Sequence, residues 1–93
     1  MKIILEFTYH QRIIVIPEGY ISDIKEFQRE CTEWIYNQPE YWVIGRNNTL
    51  VCSYGENDIL RYVNEILIAD SGEKAYLLDE SVEDKECKNL LYF

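Results

Sequence analysis

The chain has 93 residues, 47% of them apolar and 14% aromatic, with 17 acids against 9 Lys and Arg for a net charge of −8. That length makes one domain, residues 1–93, which buries roughly 60–70% of its unfolded surface, and the aromatic content excludes wholesale disorder. The charge balance disfavours contact with nucleic-acid phosphates or anionic lipid, both of which call for clustered Lys and Arg.

Ile3, Leu5 and Phe7 alternate with Ile4, Glu6 and Thr8, which predicts a strand over 2–8. The run Arg12 to Ile16, stopped by Pro17, predicts a second strand. Tyr9, His10 and Gln11 between them imply a hairpin, although its turn lacks a Gly or Asn-Gly signal. Both strands are apolar on two sides over part of their length, as central or doubly covered strands are.

After Pro17-Glu18-Gly19 comes the clearest helix. Ser22 or Asp23 can cap it, with Glu26 completing a capping box on Asp23. Ile24, Phe27, Cys31, Trp34 and Ile35 form its apolar stripe, which Tyr20 can join, and Asn37 with Pro39 ends it. Residues 41–44 and 49–54 read as strands around the turn Gly45-Arg46-Asn47-Asn48, a second hairpin. Gly55 and Asn57 open another helix, with Asn57 the expected cap and Ile59, Leu60, Val63, Ile66 and Leu67 the expected buried stripe. A turn at Asp70-Ser71-Gly72-Glu73 leads to a fifth strand from Lys74 to Leu78.

The segment 79–93 is acidic and ends on Leu90-Leu91-Tyr92-Phe93. Ser81 with Asp84 can cap a short terminal helix, and the apolar tip either docks on the domain or frays. Residues 70–86 hold seven acids against two lysines, so the acidity concentrates there. The expected architecture is α+β, order ββαββαβ: a mainly antiparallel sheet of about five strands with two helices on one face.

The three cysteines, at 31, 52 and 87, are odd in number and widely spaced, which argues against a disulfide framework. The N-terminal apolar run breaks at Glu6 and so resembles neither a signal peptide nor a membrane span. The chain therefore reads as cytoplasmic with free thiols. A nucleophilic Cys–His pair would have to use His10, the lone histidine, yet reactive thiolates want an electropositive setting that this composition lacks. The Cys and His spacings also fail the paired pattern of zinc sites. Asn47-Asn48-Thr49 matches a glycosylation acceptor but reads as a turn, and no Walker, G-x-G-x-x-G or G-x-S-x-G pattern occurs. No cofactor is expected.

What is left is an interaction surface. Glu26, Glu30 and Glu33 share one helix face, and Glu83 and Asp84 lie in the acidic tail segment. Tyr9, Tyr36, Tyr41 and Tyr92, with Phe93, are hard to place inside and supply side chains of the kind that anchor interfaces. These residues suggest a non-catalytic module that binds a partner protein with a basic surface and masks it. The alternatives are a homo-oligomer, in the simplest case a homodimer, built on an exposed strand edge or the tip, and a small Cys/His enzyme.

Overall fold

A computed structural model describes residues 1–78 and 89–93. Two strands, β1 (Lys2–Glu6) and β2 (Gln11–Val15), pair antiparallel with Ile3 opposite Ile14 and Leu5 opposite Arg12. Phe7 N–H donates to the His10 carbonyl at 2.9 Å and closes the turn, so a four-residue loop supplies the reversal that no glycine announces. Strand β5 (Tyr76–Leu78) joins β2 antiparallel, and β6 (Leu90–Tyr92) joins β1 parallel. The order is β5-β2-β1-β6. The doubly apolar strands thus take the two central places, and Ile4 and Ile13 are buried on one face as Ile3 and Ile14 are on the other.

The sheet differs from the expected one in two ways. The second hairpin, β3 (Trp42–Ile44) and β4 (Leu50–Cys52), stands apart as its own two-stranded sheet. The edge positions it would need are taken by β5 and by the tail strand β6, which makes the main sheet mixed rather than antiparallel. Leu91 explains the docking of the tail: its side chain is fully buried beside Leu5, whereas Leu90 and Tyr92 point to the other face. The expected terminal helix, with Ser81 and Asp84, lies outside the described residues.

One face of the sheet, carrying Ile3, Leu5, Ile14, Ile16 and Leu91, packs against two helices to form the core. Helix α1 (Ile24–Tyr36) is capped by Asp23, whose carboxylate accepts from the N–H groups of Lys25 and Glu26, and it buries Phe27, Cys31 and Ile35. At its end the Asn37 side chain donates to the Glu33 carbonyl at 2.8 Å.

Helix α2 (Glu56–Tyr62) is capped by Gly55 rather than Asn57: the Asp58 carboxylate accepts from the Gly55 N–H at 2.8 Å. It continues into a π turn, Val63–Leu67, in which Ile68 N–H reaches back to the Val63 carbonyl. That turn inserts a residue and rotates the side chains beyond it about the helix axis. Ile66, expected inside, is 52% exposed, while Tyr62 and Ile68 take up buried places with Ile59 and Val63. Among the described residues no helix is long and apolar enough to cross a membrane.

Candidate interaction surface

The β3–β4 hairpin starts from a short 3₁₀ turn, Pro39–Tyr41, where proline fixes the backbone at the first position. Tyr41 is its anchor. The ring is buried against Trp34, with centroids 6.4 Å apart, and the hydroxyl accepts from Arg61 at 3.1 Å. Burial pushes the Tyr41 phenol above its ordinary value. The expectation that Tyr41 lies outside the core is thus corrected: the 3₁₀ turn swings it inward as the root of the hairpin. Trp34 also packs on Tyr62 at 5.6 Å and lies under the Arg61 guanidinium, whose Nη1 and Nε bond Glu40 and Glu65, each at 2.7 Å.

Beyond this root the strands pair Trp42 with Cys52, Val43 with Val51 and Ile44 with Leu50. Gly45 N–H donates to the Thr49 carbonyl at 2.7 Å, and Ser53 N–H donates to the Tyr41 carbonyl at 2.6 Å. Asn47 and Asn48 turn the chain with φ of 60° and 58°, a region that asparagine tolerates better than most residues. Gly45 matters for a different reason: a Cβ there would stand 2.8 Å from Cγ2 of Val51, so any larger residue forces the valine side chain to shift.

Side-chain alternation puts Trp42, Ile44, Leu50 and Cys52 on one face and Val43 and Val51 on the other. Ile44 is 72% and Leu50 67% exposed, and Trp42, Val43 and Val51 are exposed as well. Tyr36, half exposed at the end of α1, packs on Trp42 with centroids 5.9 Å apart, and its carbonyl accepts from the indole N–H at 2.9 Å. The result is a contiguous apolar and aromatic surface projecting from the domain.

Of the described residues expected at an interface, only Tyr36 belongs to this surface. Glu26, Glu30 and Glu33 do share the outer face of α1, but all three gather around Arg29, which bonds Glu26, reaches Glu33 at 2.8 Å and lies 3.9 Å from Glu30. That contact draws the Glu26 carboxyl below its usual range. Tyr9 is almost fully exposed at the β1–β2 loop, and Tyr92 is exposed on β6. Phe93 lies between Phe7 and Tyr54, at 6.1 and 6.4 Å. Glu83 and Asp84 lie outside the described residues. Trp42, Val43, Ile44, Leu50 and Val51 were not singled out by sequence reasoning. Their signal is two wholly apolar strands flanking a polar turn, which suits a buried strand as well as an exposed one.

An open groove beside the hairpin is lined by Phe7, Tyr9, His10, Cys52, Tyr54 and Phe93, so the lone histidine and one thiol meet there. Each has its own surroundings. His10 stacks on Phe7 at 4.8 Å and its Nε2 bonds Glu56 at 2.8 Å. The Cys52 thiol is raised, first by burial and then by Asp58, and burial pushes Cys31 up to about 12. Among the described residues no three His, Cys, Asp or Glu converge as metal ligands would. Comparison with protein-family models, curated proteins and solved structures yields no match.

Proposed function

We propose that the chain is a non-catalytic protein-interaction module that works by occupying another protein surface, with the β3–β4 hairpin and Tyr36 as the contact. One observation carries this reading: Val43, Ile44, Leu50 and Val51 are exposed on both faces of a hairpin that, among the described residues, joins no larger sheet. Two strands alone bury too little to be independently stable, and contiguous exposed apolar patches of this kind mark interaction sites. The Trp34–Tyr41–Tyr62 root holds the hairpin in place, which lowers the ordering cost of a contact.

The acidic balance adds the charge preference. Glu26, Glu30 and Glu33 outnumber Lys25 and Arg29 on α1, and a net −8 chain draws basic surfaces toward it. On this reading a partner's basic surface is masked in the cytoplasm, without cofactor and without contact with nucleic acid or membrane.

Site-specific photo-crosslinking tests the proposal in cells that make the chain. A photoreactive residue replacing Ile44 or Leu50 gives one discrete protein adduct, and the same residue replacing exposed Asp70 gives none. Absence of any adduct from both hairpin positions, or equal labelling from Asp70, overturns the reading.

A further inference from the structure

The hairpin's chemistry narrows what can sit on it. Residues 41–54 contain no acid and one base, Arg46, in a chain of net charge −8. Arg46 lies at the free tip. The opposite end of the hairpin is acidic on balance: around the root at Tyr41, Glu40, Glu65 and Asp58 outnumber Arg61, which bonds the first two. The surface therefore runs from basic tip through uncharged middle to acidic root.

Such a surface is complementary to itself when reversed. A two-fold axis through the centre of the hairpin lays the tip of each copy beside the root of the other, so that Arg46 meets acids at both ends. The backbone supports the same arrangement. Hydrogen-bonded pairs alternate along an antiparallel ladder. With Gly45–Thr49 and Tyr41–Ser53 bonded, the backbone groups of Ile44, Leu50 and Cys52 point away from the partner strand. Open edges of this kind accept a further strand.

On one face of the hairpin Trp42, Ile44 and Leu50, with Tyr36 packed on Trp42, expose roughly 450 Å², which suits a weak dimer rather than a standard interface of about 800 Å² per partner.

We infer that the occupant of the hairpin is a second copy of this chain, paired antiparallel across a two-fold axis. The inference rests on the hairpin being a contact surface. It leaves the acidic face of α1 free on each copy for a basic partner.

Sedimentation equilibrium of the full chain, repeated at low and high salt, is the test. The expected result is a concentration-dependent dimer at both salt levels. Ile44→Lys and Leu50→Lys each weaken it by more than ~100-fold, since each replaces an apolar contact with an ammonium group that the interface would have to desolvate. Arg46→Glu weakens it by about tenfold or more, and Asp70→Asn leaves it unchanged. Circular dichroism confirms that the variants fold.

A chain that stays monomeric at high micromolar concentration, or a dimer indifferent to both lysine variants, overturns the inference. If the monomeric chain still yields a hairpin adduct to a different protein in cells, the contact surface stands and only the choice of occupant falls. If no adduct forms either, both fall.

Discussion

Asn64 holds Ala75 by both of its backbone polar groups: the carboxamide donates to the Ala75 carbonyl at 3.2 Å and accepts from its N–H at 2.8 Å. Asn64 lies in the π turn and Ala75 directly precedes β5, so one side chain fastens the end of the second helix to the edge of the sheet. Ala75 is buried, and losing both bonds strands two backbone groups. Asn64→Ala is expected to cost about 1–3 kcal/mol in urea unfolding. Asn64→Asp recovers only part of this, because a carboxylate can accept from the Ala75 N–H but cannot donate to its carbonyl.

The tail strand is tied to β1 through Leu91, which is fully buried in the core. Leu91→Ala should destabilise the domain by about 2–5 kcal/mol, the range for truncating a buried leucine. Amide exchange at Ile4, whose N–H donates to the Asn89 carbonyl at 2.9 Å, should accelerate more than exchange in α1. Equal acceleration in both places would mean that β6 does not open separately.

Glu56 gives the fold an acid dependence. Its carboxyl is held below the ordinary 4.5, first by the bond from His10, then by its own backbone N–H and by nearby Arg12. A lowered folded value stabilises the native state above the unfolded carboxylate range, and that contribution disappears as pH falls through the folded value. Wild type should therefore exceed Glu56→Gln in stability above the usual carboxylate range, and the two should converge as pH falls below that range. Denaturant midpoints measured across that range check the convergence.

The thiols should separate by kinetics. With its value pushed to about 12, buried Cys31 carries roughly one thiolate in ten thousand at pH 8, and no path for a reagent opens without unfolding. Alkylation mapped by mass spectrometry should modify half-buried Cys52 first and Cys31 only at the rate of global opening. Rapid native labelling of Cys31 would show that α1 breathes on its own.

Local rules made parts of this fold legible. Asp23 caps α1 as its position before an apolar stripe implied, and β1 and β2 are central because Ile4 and Ile13 are buried as well as Ile3 and Ile14. What escaped reading was decided between distant segments. Leu90, Leu91 and Tyr92 are too few to display a period, and their place depends on an edge of β1 that no nearby residue signals. The π turn over Val63–Leu67, closed by the bond from Ile68 to Val63, turns Ile66 outward and leaves no compositional trace. The candidate surface was missed for a related reason. Apolar strands read as sheet core, and Tyr41 reads as surface, until the competition for sheet edges sends the hairpin outward and its root inward.

The aromatic root of the hairpin has an optical consequence. The chain contains two tryptophans, Trp34 and Trp42, and both lie there: one is wedged between Tyr41 and Tyr62, the other rests on Tyr36 at the margin of solvent. Intrinsic emission of the unlabelled protein is therefore a local readout rather than a global one. Covering the hairpin dries Trp42 and shifts its emission to the blue while Trp34 stays as it was, so occupancy and unfolding move the same spectrum in opposite directions.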